Sequence, residues 1–361
     1  MNKFILGTFL ALTATCCASE TQPTISPELA AFERKVSSEH KIEFSNDTLL
    51  DYKSRTPGGV TSRTWKDEFY LSAERSRRLR LGYEDFDEYD RQKSKFIVLH
   101  YTASPSKSGV TETFHRNGTS AHFLVENDGK IFTYVDPYKR VAYHAGSSSW
   151  AGRSGINHYS IGIEHSGLRY TTQQGEKSTL RFPGSNFYWY LYPEEQFVKS
   201  CVVTRGLQQG FKIPGFGVVT HADIAPDRKS DIGPAWNYKR AYEEFGTGYF
   251  PSETHQVDLA TFATSITDED YINLIGCFGY GISEYRDCDV VRAYQMHFST
   301  SNISGELQNQ TREDILKHAI SLYGHTDEIT GRKYEYFQEH FTKLLTENSN
   351  MATAFAEYLQ V

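Results

Sequence analysis

Apolar and polar positions change rhythm at Lys95. The run "KFIVLHY" is apolar and β-branched, short enough for a strand buried on both faces. "SAHFLVENDGKIFTYV" predicts two strands around Asn127-Asp128-Gly129, residues that tolerate the positive φ of a tight hairpin. "YSIGIEHSG" and "GFGVVTH" predict two further buried strands. Between them, "YPEEQFVKSCVVTRGLQQG" opens on Pro-Glu-Glu and closes at Gly210, as a capped helix does. Loose alternation of strands and helices predicts an α/β domain over residues 94–250.

Outside that span the pattern differs. Residues 1–18 carry Lys3, the apolar run Phe4 to Ala14 and then small residues, the arrangement of a secretory leader too short for a permanent span. Cys16 and Cys17 stand where a lipoprotein leader carries its lipid; cleavage after Ala18 without lipid is the alternative. Residues 19–93 form a polar extension, with a basic run followed by an acidic one. Residues 251–267 read as a linker. Thr267 then caps a helix with Asp268, Glu269 and Asp270 in its first turn. "CDVVRAYQMHF" and "TREDILKHAISLYG", the latter capped by Thr311 and stopped by Gly324, complete a small three-helix domain over 268–325. Residues 326–361 are a helical extension.

Composition narrows the function classes. Hydrophobic content of 39% and charged content of 23% are those of an ordinary soluble chain, and a net charge of −7 gives no global attraction to nucleic acid. Among 24 Tyr and 23 Phe, the cluster Tyr188, Trp189, Tyr190 and Tyr192 is either a sugar-stacking patch or core, with core favoured. Cys277 and Cys288 are either a disulfide of an oxidising compartment or two thiols, and Cys201 lies on an apolar helix.

The candidate chemistry gathers at strand ends. His100 closes "FIVLH" and His221 closes "FGVVTH"; parallel neighbours would bring both rings to one rim. "THADIAPDRKSDIGPAW" offers Asp223, Asp227 and Asp231 as a third metal ligand, and composition does not choose among them. Glu164 closes "SIGIE" and shares a strand face with Gly162, which leaves open space beside the acid. For each lone histidine a core role is the simpler reading, as a solvated position is for Glu164 and Lys229.

In this order, "VLHYTA", "SAHFLV", "HAG", "SIGIE" and "HADIAPDRKSDIGPAW" resemble the zinc-dependent N-acetylmuramoyl-L-alanine amidases of the second amidase family, relatives of peptidoglycan recognition proteins. The resemblance implies an α/β fold with a mixed central sheet flanked by helices. It implies one zinc ion per chain on His100, His221 and Asp231, with Glu164 as general base and Lys229 beside zinc at the oxyanion. It makes Asp223 and Asp227 structural. His122 and His144 are then expected to line the cleft or to orient the zinc ligands, with a structural role as the alternative for each; Trp150, Arg153 and Asn157 are an expected groove wall, Asn157 alternatively holding its loop. Ile232 departs from the family's proline and is expected to loosen the turn that carries Asp231. "LIGCFGYGI" and "VVRAYQMHF" resemble the peptidoglycan-binding helices of AmiD-type outer-membrane lipoprotein amidases. The implied substrate is peptidoglycan or muropeptides in the periplasm or cell envelope, with a lipid anchor to the outer membrane or, alternatively, secretion as an antibacterial amidase. A recognition protein that binds wall fragments without cutting them is the rival class; it would typically lack a ligand, and none is missing.

Overall fold

The computed structural model describes residues 25–46, 94–104, 107–117, 119–172, 175, 180–181 and 186–359. The leader with Cys16 and Cys17, most of the 19–93 extension and part of the Tyr170–Tyr192 stretch lie outside them. The elements of the first part are α1 (Pro27–His40), β1 (Phe44–Ser45), β2 (Phe96–Tyr101), α2 (Lys107–Asn117), β3 (Phe123–Val125) and β4 (Ile131–Thr133). Next come β5 (Ser149–Trp150), β6 (Arg153–Ser154), β7 (Ser160–His165), β8 (Tyr170–Thr171), β9 (Leu180–Arg181) and β10 (Tyr188–Trp189). Then follow α3 (Glu194–Phe211), β11 (Val218–Thr220), α4 (His221–Ile224), α5 (Tyr238–Phe245) and α6 (Leu259–Ala263). The helical end comprises α7 (Asp268–Phe278), α8 (Asp287–Phe298), α9 (Asn309–Gly324), α10 (Glu335–Glu347) and α11 (Ser349–Leu359).

A six-stranded sheet in the order β1-β4-β3-β7-β2-β11 organises these parts. All its pairings are parallel except β3 with β4, the predicted hairpin, so the sheet is mixed. Both faces of the central strands are covered, which is why they read as unbroken apolar runs. One face sets Ile97, Leu99, Ile161, Ile163 and Val218 against α1 and α3, through Leu29, Phe32, Phe197, Cys201 and Leu207. The opposite face sets Phe96, Val98 and Val219 into one core with Leu274, Ile275, Phe278 and Tyr294 of the helical end. At the far side of that face, Leu124 and Phe132 pack on Val110 and Phe114 of α2. A side chain such as Phe278, 3% exposed, contributes roughly 2–3 kcal/mol by such burial.

Several sequence expectations need correction. Residues 25–46 are part of the sheet unit: β1 pairs with the edge strand β4, and Thr133 donates to Glu33 of α1 at 3.0 Å. Helix α3 passes Gly210 and ends one residue later, because Lys212 adopts the left-handed cap conformation (φ 55°) and returns its N–H to the Gln208 carbonyl. Thr267 does cap α7, in a reciprocal capping box with Asp270. Thr311 does not cap α9; it lies within the helix, 1% exposed, and accepts from Gln295 Nε2 at 3.0 Å. The 251–267 stretch contains α6, whereas the helical extension expected over 326–361 is present as α10 and α11. Cys277 and Cys288 are both free, the first buried and the second exposed. No helix among the described residues is long and apolar enough to cross a membrane.

Two buried histidines brace the sheet in neutral form. His122 Nδ1 accepts from the Gly162 N–H at 3.0 Å, so its Nε2 carries the proton donated to the Arg140 carbonyl at 3.0 Å. His165 spans from the His100 carbonyl, 2.7 Å from Nδ1, to the Ser200 hydroxyl, 2.6 Å from Nε2. Burial pushes His122 down to about 4 and His165 down to about 3. An unfolded histidine titrates near ~6.5, so below that pH the unfolded chain binds protons that the folded chain refuses. Stability is therefore full above about pH 6.5 and falls toward pH 4, by up to ~1.4 kcal/mol per pH unit for each ring. Urea midpoints at pH 7.5 and pH 5 check this: the midpoint drops at pH 5, and His122→Gln flattens the slope. Equal midpoints would mean that neither ring is held neutral.

Candidate metal centre

Strand register brings the candidate residues to one rim. In the parallel pair β2 and β7, His100 lies opposite Glu164, so their side chains leave the same face. In the pair β11 and β2, Thr220 lies opposite Leu99, so His221 emerges beside His100. His221 is the first residue of α4, whose start is fixed by a capping box: the Asp223 N–H donates to Thr220 Oγ1, and the Thr220 N–H to Asp223 Oδ2. Asp231 arrives from a turn held at three points. Its carbonyl accepts from the Ala222 N–H at 2.7 Å, the Ile232 carbonyl from Tyr192 Oη at 2.8 Å, and the Gly233 carbonyl from Tyr238 Oη at 3.0 Å. Gly233 has φ +84° and lies over Trp189, where an added Cβ would come within 2.6 Å of the indole. Ile232 is fully buried, so the loosening expected from the missing proline is not what these contacts describe.

Three atoms converge at this rim. His100 Nδ1 and His221 Nδ1 are 2.9 Å apart, and Asp231 Oδ2 is 3.2 Å from the first and 2.9 Å from the second. All three residues are buried. Burial, with His221 alongside, pushes His100 down to about 4. Burial opposes ionisation of Asp231, but the two imidazoles beside it prevail and hold its carboxyl well below the usual range. Asp223 and Asp227 are not in the group. Asp223 is fully buried and accepts from Tyr280 Oη at 2.6 Å, with His297 Nδ1 2.8 Å from its other oxygen; Asp227 is exposed.

Glu164 is half-buried, and its Oε2 is sealed from solvent with no hydrogen-bond partner. Burial first, then the charge of Asp231, pushes it up to about 8, against the pull of Lys229. Lys229 is half-buried on the loop before Asp231, and its N–H donates to the Ala225 carbonyl at 3.0 Å.

The expected groove residues find partners inside the protein. His122 is the buried brace described above. Asn157 Oδ1 accepts from the N–H groups of His144 and Ala145, at 2.9 and 2.7 Å, so it holds that loop. Trp150 is 4% exposed with its ring 4.7 Å from that of Tyr280, which makes it a packing residue between sheet unit and helical end. His144 is buried against the centre itself, its Nδ1 2.9 Å from His100 Nε2. Arg153 alone of the set is exposed, over the Tyr159 ring. In the aromatic cluster, Trp189 is fully buried and Tyr192 holds the Asp231 turn. Sequence reasoning missed Tyr280 and His297, which reach Asp223 from the helical end. Nothing in their local pattern distinguishes them from core residues.

The chemistry of this donor set fits a divalent cation. His221 Nε2 faces the Ala145 carbonyl at 3.3 Å, which places a proton on Nε2; in the neutral ring the Nδ1 lone pair is then free for a metal. That lone pair meets a carboxylate oxygen and a second imidazole nitrogen. Zinc with bonds of about 2.0 Å to nitrogen and oxygen sets tetrahedral ligands about 3.3 Å apart, close to the spacing here. Two imidazoles and one carboxylate also leave a fourth position open, as hydrolytic zinc requires.

The sequence profile of a family described as N-acetylmuramoyl-L-alanine amidase matches residues 90–234. The chain is 29% identical over 245 residues to the N-acetylmuramoyl-L-alanine amidase AmiD of Escherichia coli, covering 64% of this chain and 83% of that protein. It is 31% identical over 169 residues to the 1,6-anhydro-N-acetylmuramyl-L-alanine amidase AmpD of Haemophilus influenzae, covering 41% of this chain and 81% of that protein. Among solved structures, E. coli AmiD in complex with the substrate anhydro-N-acetylmuramic acid-L-Ala-D-gamma-Glu-L-Lys superposes with a TM-score of 0.54 at 26% identity, covering 64% of this chain and 89% of that one.

Metal analysis after dialysis tests the ligand set. Asp231→Ala is expected to lose most bound zinc, whereas Asp227→Ala keeps the wild-type content. Equal zinc in wild type and Asp231→Ala would remove Asp231 from the centre.

Proposed function

This chain belongs to the N-acetylmuramoyl-L-alanine amidase family, and from that premise we propose that it hydrolyses the amide between N-acetylmuramic acid and L-alanine in peptidoglycan or its fragments, with one zinc ion held by His100, His221 and Asp231. The observation that carries this reading is the convergence of two imidazole nitrogens and a carboxylate oxygen within 4.8 Å, beside a carboxyl whose Oε2 has no hydrogen-bond partner. When bound, zinc supplies the Lewis acidity that makes water a nucleophile near neutral pH.

The protein's own groups do the rest. Glu164 takes the water proton on its unpartnered Oε2 and returns it to the departing alanine nitrogen, a contribution of roughly 10²–10⁴ in rate. Burial and Asp231 push its pKa up to about 8 even against the pull of Lys229; the charge of a bound cation would draw it down, toward the range a base needs. Lys229 donates to the oxyanion, worth on the order of 3 kcal/mol for one donor. The non-cleaving rival has no support in this arrangement, since every group that hydrolysis needs is present.

The substrates of the relatives support muropeptides, including those with anhydro ends, as the molecules cut. Two sequence expectations belong to the same proposal: residues 268–325 touch the wall polymer beside the catalytic unit, and residues 1–18, with Cys16 or Cys17, direct the chain to the periplasmic face of the envelope.

Glu164→Gln separates catalysis from metal binding. It is expected to keep one zinc per chain and to lose at least about 100-fold in turnover of a defined anhydro-muropeptide, read by mass spectrometry of released peptide. Wild-type turnover in that variant would refute the base assignment.

A further inference from the structure

His100 has two ring nitrogens, and only one can serve a metal. Its Nδ1 faces the other two ligands, so its Nε2 must carry the proton. The structure holds a device that enforces this. Ser160 Oγ has a single hydrogen, and it donates to the Ile156 carbonyl at 2.7 Å. At the 3.2 Å contact between Ser160 Oγ and His144 Nε2, the hydroxyl can therefore only accept, so His144 Nε2 bears a proton. A neutral imidazole protonated at Nε2 is bare at Nδ1. That atom lies 2.9 Å from His100 Nε2, which must donate to it. His100 Nδ1 is then left without a proton. Each bond in the series has one allowed direction, and a backbone carbonyl, which cannot donate, sets it.

The surroundings are built to keep the middle ring in place. His144 is 8% exposed and Ser160 is 1% exposed. Gly162 runs beneath His144 on β7; a Cβ there would stand 2.5 Å from the imidazole, so only glycine leaves room for the ring. The open space that the sequence places beside Glu164 is thus filled by His144. Asn157 fixes the backbone on either side of the ring by accepting from two consecutive N–H groups. In the reversed series Ser160 would donate to His144, its hydrogen bond to the Ile156 carbonyl would be lost, and His100 Nδ1 would point a proton at Asp231.

We propose that His144 and Ser160 are positioning residues, a one-way hydrogen-bond relay anchored on the Ile156 carbonyl that keeps the Nδ1 lone pair of His100 bare and aimed at the metal. The proposal rests on the reading of His100, His221 and Asp231 as the zinc ligands. Ligating histidines are generally oriented by the partner of their second nitrogen, and loss of that partner weakens metal binding roughly 10–100-fold.

Two measurements test it. In zinc-loaded wild-type protein labelled uniformly with ¹³C and ¹⁵N, the His144 ring signals, assigned by through-bond correlation to its own backbone, should show a proton on Nε2 and none on Nδ1. A proton on Nδ1 overturns the relay, and this reading needs no variant to fold. Chelator competition on Ser160→Ala should give zinc binding roughly 10–100-fold weaker than wild type; unchanged affinity overturns the relay while leaving the three ligands in place. Wild-type protein that takes up no zinc would overturn the relay together with the metal reading beneath it.

Discussion

Two imidazole nitrogens and a carboxylate oxygen, buried and drawn to about hydrogen-bonding distance, carry too few protons to satisfy one another. Bare lone pairs in a low-dielectric site repel, and a cation relieves that repulsion. The rest of the molecule can be understood as the scaffold that holds this arrangement. Parallel register puts His100 and His221 at one rim. A capping box fixes the helix that begins at His221. Trp189, Tyr192 and Tyr238 hold the turn that presents Asp231. The same burial that keeps His100 neutral, and so able to ligate, also raises Glu164 into a range where it can exchange a proton.

The helical end takes a direct part in that scaffold. Its α7 and α8 cover the sheet face on which the centre lies, and the two parts share one core. Tyr280 and His297 both reach Asp223, two residues beyond His221, and Tyr285 donates to the Ile224 carbonyl at 3.1 Å. Asp223 thus joins the cap of the helix that begins at His221 to the helical end. A change that loosened α8 would be felt at His221 through this buried joint, whatever else the helices touch.

Much of this was legible in the chain before folding. The strands of the sheet announce themselves as short β-branched runs, because a strand covered on both faces has no polar side to show. His100, His221 and Glu164 could be singled out because strand ends project side chains rigidly, and the resemblance selected Asp231 from three aspartates that spacing left equal. What stayed hidden depends on contacts between distant segments. Thr311 has the right type for a cap but faces Gln295 across the helical end. Trp150 and Asn157 sit near the groove motifs, yet one is core and the other holds a loop. Gly162 was visible as space beside an acid; that His144 fills the space could not be read without the fold. Residues 25–46 read as part of a polar extension because a single edge strand and one helix carry little periodic signal.

The most direct test of the centre is a crystal of the zinc-loaded protein with anomalous scattering measured at the zinc edge. The account predicts one strong peak about 2.0–2.2 Å from His100 Nδ1, His221 Nδ1 and an Asp231 oxygen, with a fourth position on the side of Glu164. A peak bound elsewhere, or ligation of His100 through Nε2, would contradict it.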